Sequence, residues 1–384
     1  IKIRGYKPNY KGHIGQIKRA IELIEKSEKP IIYAGGGVVI SGAAAELIKL
    51  AKTINAPVTT TLMALGAYPA TDELFVGMLG MHGTYCANMA ITNSDLIIAI
   101  GTRFDDRVTG KIEEFAPHAK IVHIDIDPTA ISKNVVVDIP IVGDVKLVLE
   151  DMFKYLKSKE HTRWLKQIKE WQNACPLKYN QTSTGPLKPQ FIIEKINEVA
   201  GNNTIITTEV GQNQMWTAQF YKFIKPRQLV TSGGLGTMGF GLPAAMGAKL
   251  GRPEATVIDI AGDGSLQMNI QEFATIREHN IPVIIALLNN NYLGMVRQWQ
   301  ELFFNKRYSA TDLVKNPDFV KIAEAYNIKA LKITKQKEVI PAIKEAIKSK
   351  EPFLLDFIID REENVFPMVP AGAPICKMLL GGDK

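Results

Sequence analysis

Cysteine is almost missing from this 384-residue chain: there are three, Cys86, Cys175 and Cys376, and no two of them share CxxC spacing. An odd, scattered set provides neither a disulfide framework nor a zinc site, and it suits a reducing compartment. Long apolar runs are missing as well. None approaches the roughly twenty residues of a membrane span, and residues 1–11 are basic and polar with no secretory core. Charge of one sign is not concentrated either, since 46 Lys and Arg against 39 Asp and Glu leave +7 spread along the chain without arginine-rich tracts. Nucleic acid and membrane are therefore not expected as partners, whereas a mild attraction for small anions is.

What is present is core-forming material: 46% of the residues are hydrophobic, enough for more than one domain. Helix and strand patterns alternate in two blocks. In the first, an amphipathic stretch at 14–27 predicts a helix. A strand at 30–34, the glycine turn Gly35-Gly36-Gly37 and a helix at 43–54 follow. Further strands are expected at 57–61, 96–100 and 120–126, and a helix at 145–156. Residues 157–188 carry charge, a helical piece near Trp164 and the breakers Ser183, Gly185 and Pro186, and so predict a linker. The second block predicts a helix at 190–199 and strands at 204–208, 281–288 and 353–359, with a tail at 364–384. Such alternation predicts an α/β chain of two doubly wound parallel-sheet domains, residues 1–156 and 189–363.

Chemistry concentrates in the second block. Gly262-Asp263-Gly264-Ser265 follows one strand end and Asn289-Asn290 the next, so one carboxylate and one amide oxygen face the same edge. Hard oxygen donors beside glycines suit Mg²⁺ and a diphosphate that approaches the backbone closely. In Glu209-Val210-Gly211-Gln212-Asn213-Gln214 the amides of Gly211 to Asn213 open a helix, another place for phosphate oxygens. The run 232–243 holds Gly233, Gly234, Gly236, Gly239 and Gly241 around Met238, more glycine than a turn needs. The plain alternative stays open for each: helix caps, an Asn-Asn turn, and a methionine filling a core gap.

The Gly-Asp-Gly to Asn-Asn interval resembles the thiamine diphosphate (ThDP) fingerprint of decarboxylases and ketoacid synthases. The stretch Asn291-Tyr292-Leu293-Gly294-Met295-Val296-Arg297-Gln298-Trp299 narrows the resemblance to the catalytic subunit of acetohydroxyacid synthase, also called acetolactate synthase. That resemblance implies Mg²⁺ bound by Asp263, Asn290 and the carbonyl of Tyr292. It implies ThDP contacts from Val210, Gly211, Gln212, Asn213, Gly236, Met238, Gly262, Asp263, Gly264, Ser265, Asn290, Tyr292, Gly294 and Met295. Met238 would prop the bent cofactor, Gly236 would accept from its 4′-amino group, and Trp299 would shape the pocket for the second ketoacid. Residues 366–374 resemble the family's tail over the active site.

By the same resemblance the first block is a FAD-type middle domain, with contacts from Gly35, Gly36, Gly37, Leu62, Met63, Met81, His82, Gly83, Gly101, Arg103, Asp105, Arg107, Asp125, Ile126, Asp144 and Val145. Arg103 and Arg107 would pair with its diphosphate, Asp125 and Asp144 with hydroxyls or amines. Ordinary ion pairs and caps from Arg103, Asp106 and Asp125, and core roles for His82 and His123, are the plain alternative. The implied reaction decarboxylates pyruvate and joins the product to pyruvate or 2-ketobutyrate, the first common step of branched-chain amino acid biosynthesis. A homodimer or tetramer, a small regulatory subunit and a bacterial cytoplasmic location are implied, a plastid source staying open.

One departure is large. The family places a pyrimidine-binding domain, with a glutamate for the aminopyrimidine, before the middle domain, and Glu22, Glu25 and Glu28 match no such motif. The expectation is a fragment with at most trace activity alone. Two other readings stand beside it: a non-catalytic nucleotide-binding module, and another ThDP enzyme such as glyoxylate carboligase or oxalyl-CoA decarboxylase.

Overall fold

Pro30-Ile31-Ile32-Tyr33-Ala34 and Leu96-Ile97-Ile98-Ala99-Ile100 are apolar throughout, the pattern of strands covered on both faces, and every residue of both is buried. The computed structural model describes residue 5 and residues 7–381. In it these runs are the paired central strands of a six-stranded sheet. Its members are β1 (Pro30–Ala34), β2 (Val58–Thr60), β3 (Phe75–Met78), β4 (Leu96–Ile100), β5 (Lys120–Asp125) and β6 (Ile139–Val142). All pairs are parallel and the order is β3-β2-β1-β4-β5-β6, so the winding reverses between β1 and β4. Ile32, Ile98 and Val122 pack one face against Ile17, Leu47 and Leu50; Ile31, Tyr33 and Ile97 pack the other against Ala87, Ile91 and Phe104.

This unit takes more of the chain than expected. The stretch anticipated as a linker contains the helix Thr162–Ala174, whose Trp164, Ile168 and Trp171 recur at a helical spacing and join the second of those cores. The Trp164 indole donates to the Pro30 carbonyl at 2.9 Å. Residues up to Leu177 accordingly belong here, and so do 223–226 and the tail from Phe366. Val369 N donates to Met81 O at 2.8 Å and Asn88 Nδ2 to Ile375 O at 3.2 Å, building the tail into the unit.

The second unit comprises residues 178–222 and 227–365. Its parallel sheet holds β7 (Thr204–Thr208), β8 (Leu229–Thr231), β9 (Thr256–Gly262), β10 (Val283–Asn289), β11 (Lys329–Ile333) and β12 (Phe353–Ile358). The order is β11-β12-β10-β9-β7-β8, with the winding reversed between β7 and β9. Between β9 and β10 run two short helices, Asp263–Leu266 and Glu272–Glu278. In the first unit the helix from Val145 stops at Met152, and the glycine turn runs straight into a helix at Gly36–Ser41. No helix among the described residues is long and apolar enough to cross a membrane.

Candidate active site

The second unit's switch point, where the β7 and β9 ends diverge, gathers the residues singled out for a diphosphate and a metal. Asp263 opens a one-turn helix directly after β9 and is 1% exposed. Asn316 Nδ2 donates to its Oδ2 at 2.5 Å, and the backbone N–H of Asn290, at the end of β10, also faces the carboxylate. Burial still pushes this carboxyl up to about 7, against those hydrogen bonds. A carboxylate desolvated in this way gains most from a hard cation at its oxygens. Among the described residues no group of three or more His, Cys, Asp or Glu is placed to hold a metal. Asp263 and Asn290 instead offer one carboxylate and one amide, the sparse set Mg²⁺ takes when phosphate oxygens complete its shell.

Asn290 is held on both sides of its amide. Its Oδ1 accepts from Tyr292 N at 3.0 Å, and its Nδ2 donates to Gln212 Oε1 at 3.3 Å. Gln212 Nε2 continues to Gln298 Oε1 at 2.9 Å, a buried amide chain. Gly264 and Gly294 sit where neighbouring protein atoms leave no room for a side chain. A Cβ on Gly294 would lie 2.0 Å from Gln212 Oε1, and one on Gly264 2.5 Å from Leu293 Cδ2 and 3.8 Å from the Met238 methyl. Gly262 faces Asn213 and Gly236, at φ +68°, faces Val210. Gly211 precedes the helix Gln212–Phe220, and Ser265 Oγ lies 3.3 Å from Gly262 N. Val210, Gln212, Asn213, Gly236, Met238, Asp263 and Asn290 thus lie around one glycine-rich sheet edge, the candidate crevice.

The helix Gly294–Phe303, which carries Met295 and Trp299, is turned inside out. Its buried side chains are Arg297 and Gln298, whereas Val296 is 51% and Phe303 37% exposed. Trp299 is half-buried, edge-on to Phe303 at 5.5 Å. The helix therefore points an apolar face away from its own unit's core.

Three residues that sequence reasoning passed over support this crevice: Gln298, Asn316 and Glu209. Glu209 is fully buried and accepts from Gly239 N at 2.6 Å and Leu242 N at 3.1 Å, holding the loop behind Met238. Burial raises its carboxyl while these amides oppose the rise. Asp259 beside it is held well above the usual carboxylate range by burial and by the Glu209 charge. Glu209 stood inside a recognised motif and was readable there. Asn316 carries no local signal.

In the first unit the expected FAD contacts lie at the carboxyl ends of the strands. The Gly35 and Gly37 turn meets Gly101 backbone to backbone: a Cβ on Gly35 would lie 2.2 Å from Gly101 O, and Gly37 N donates to that oxygen at 3.0 Å. Met63 lies against Gly36, and the Thr60 and Thr61 hydroxyls nearby are buried with no hydrogen-bond partner in the protein, a fit for a polar ligand along this edge. The carboxylates are already in use. Asp105 accepts from Arg107 N, Asp125 from Asp127 N, and Asp144 from Leu147 N, while Arg103 pairs with Asp105, which is the plain alternative of caps and an ion pair. Val145 is packed in the core, leaving only its backbone to face a ligand. His82 is buried, and that burial lowers its ring to about 4, so it is neutral at pH 7. Met81 N donates to Arg107 O at 2.8 Å, and Gly83 abuts Met78 O. His123 is fully buried, with Nε2 2.7 Å from Thr102 O and Nδ1 without a hydrogen-bond partner in the protein. Leu62 starts a 3₁₀ turn, and Ile126 follows β5.

Two family models match the chain: the thiamine pyrophosphate enzyme central domain over residues 17–152 and the C-terminal TPP binding domain of the same enzymes over 209–357. Each unit thus carries a domain of a thiamine pyrophosphate enzyme. Over 99% of its length the chain is 51% identical to a protein of Methanocaldococcus jannaschii named a probable acetolactate synthase large subunit, covering 65% of it. It is 48% identical to the acetolactate synthase large subunit of Buchnera aphidicola subsp. Schizaphis graminum, with 68% of that protein covered. It is also 44% identical to acetolactate synthase isozyme 3 large subunit of Escherichia coli, again covering 68%. The chain belongs to the acetolactate synthase large-subunit family, and it spans about two thirds of the length of the curated relatives it matches.

Proposed function

We propose that this chain is the part of an acetolactate synthase large subunit that holds the ThDP diphosphate through Mg²⁺ and carries FAD in its first unit. The observation that carries the reading is the meeting of buried Asp263 with Asn290 at one glycine-rich sheet edge. Asp263, the Asn290 amide and the Tyr292 carbonyl would hold the cation, with the diphosphate over Gly262, Gly264 and the amides of Gly211 to Asn213. ThDP, when bound, supplies the electron sink that lets a 2-ketoacid lose carbon dioxide and its carbonyl carbon then attack a second ketoacid. The protein's own residues position and exclude water. Met238 beside Gly264 would prop the cofactor, the Gly236 carbonyl would accept a hydrogen bond from its amino group, and the outward apolar face around Trp299 would sort pyruvate from 2-ketobutyrate. Gly35, Gly101 and the Thr60 and Thr61 hydroxyls would cradle FAD, whose role in this non-redox reaction is structural.

The relatives' name, large subunit, supports a small regulatory partner; a homo-oligomer and a reducing cytoplasm complete the proposal. Because the chain spans about two thirds of its relatives' length, the test uses the full-length protein. Acetolactate should form from pyruvate with ThDP, Mg²⁺ and FAD, and acetohydroxybutyrate when 2-ketobutyrate is added, and Asp263→Ala should abolish both. A wild-type protein that consumes neither ketoacid under these conditions, or an Asp263→Ala protein that keeps the rate, overturns the reading.

A further inference from the structure

One guanidinium touches all three residues of the proposed cation loop. Arg361 lies three residues beyond β12, with its side chain 42% exposed. Its Nε donates to Asn290 O at 3.2 Å, and its Nη2 donates to Asp312 Oδ1 at 3.0 Å and reaches Asn291 O at 3.5 Å. Its planar centre stacks on the Tyr292 ring, 4.2 Å from the centroid. Asn291 turns the loop at φ +55°, a left-handed conformation that asparagine adopts more readily than most side-chain-bearing residues. Leu313 N donates to Asn291 O at 2.9 Å and Asn316 Nδ2 to Asn291 Oδ1 at 3.3 Å, so the loop is pinned between the 311–316 segment and Arg361.

We infer that Arg361 is a positioning residue for the divalent cation: it fixes the Asn290 and Asn291 peptide planes so that the Asn290 amide and the Tyr292 carbonyl are already aimed when the cation arrives. The argument rests on the reading of Asp263, Asn290 and Tyr292 as the cation site. Two effects oppose each other. The cation of Arg361 repels Mg²⁺, but its charge is shared with Asp312 and exposed to solvent, where water and salt screen the repulsion. Losing the pre-set geometry of metal ligands costs about 10–100-fold in metal affinity when the groups that orient them are removed. Positioning wins.

The test is binding rather than turnover: Mn²⁺ titrated into the intact protein with ThDP, read by loss of the free-Mn²⁺ paramagnetic resonance signal. Arg361→Ala should weaken Mn²⁺ about 10–100-fold, with its thermal midpoint within a few degrees of wild type. Arg361→Lys, which keeps the charge and stem but loses the fork, should fall between, and Asp312→Asn should stay close to wild type. Should Arg361→Ala prove unstable, the Lys variant decides, since a purely electrostatic role would leave it unchanged. Wild-type affinity in both Arg361 variants, or tighter binding in Arg361→Ala, overturns the inference while leaving the cation site standing. A wild-type protein that binds no Mn²⁺ overturns the cation reading and this inference together.

Discussion

Asp259→Asn should stabilise the second unit, and only above the ordinary carboxylate range. Asp259 lies inside β9, fully buried; Thr207 Oγ1 donates to its Oδ1 at 3.0 Å, while its Oδ2 has no partner. Burial and the neighbouring Glu209 charge raise its folded-state value. A group raised on folding contributes stability that is fully present below the unfolded value, about 3.9, and is lost as pH rises through the folded value. Wild type therefore loses up to about 1.4 kcal/mol per pH unit over that window relative to a neutral isostere. At pH 7.5, about 3.6 units above the unfolded value, the variant should have gained up to about 5 kcal/mol on wild type, each kcal/mol worth about 2–4 °C for a domain of this size. Thermal midpoints of both proteins from pH 4 to 8 read this directly. A gap that is constant with pH, or a variant that becomes the weaker protein as pH rises, would refute the reasoning, because Asp259 would then be ionised and satisfied.

Gly35→Ala places a methyl 2.2 Å from the Gly101 carbonyl, so it should cost the first unit about 1–3 kcal/mol or more and lower co-purified flavin, checked by melting and absorbance. Arg297→Met breaks an almost fully buried pair with Glu301, 2.9 Å apart and flanked by the Tyr292 and Tyr308 rings. It should cost about 3–5 kcal/mol in denaturant unfolding, and Glu301→Gln in the same chain should recover most of it.

The central strands were legible because they are buried on both faces and so carry unbroken apolar runs. The four strands that escaped, β3, β6, β8 and β11, are the four edges of the two sheets. Edge strands have one partner and weaker patterning: β3 contains Gly77, β6 contains Pro140, and β11 reads Lys-Ala-Leu-Lys-Ile with only Ile333 buried. Within the expected linker the helical piece near Trp164 was legible, but not that Trp164, Ile168 and Trp171 pack it into the first unit's core.

At the candidate site, Asp263 and Asn290 were readable because each directly follows a strand end, Asp263 between two glycines. Asn316 and Arg361 were not, since each reaches the loop through tertiary packing, from 53 residues beyond Asp263 in one case and 71 beyond Asn290 in the other. At the first unit's strand ends Gly35 and Gly37 pack against Gly101, which no sequence signal announced, and Asp105, Asp125 and Asp144 serve as caps and turns, a use of the same residue type that spacing alone does not separate.

The most direct test of the account is a ThDP titration of the intact protein, followed by tryptophan fluorescence, with and without Mg²⁺, in wild type and Asp263→Ala. Saturable ThDP binding that requires Mg²⁺ in wild type and disappears in the variant is the predicted result. ThDP binding of equal affinity in both proteins, or binding indifferent to Mg²⁺, would contradict the assignment of this crevice.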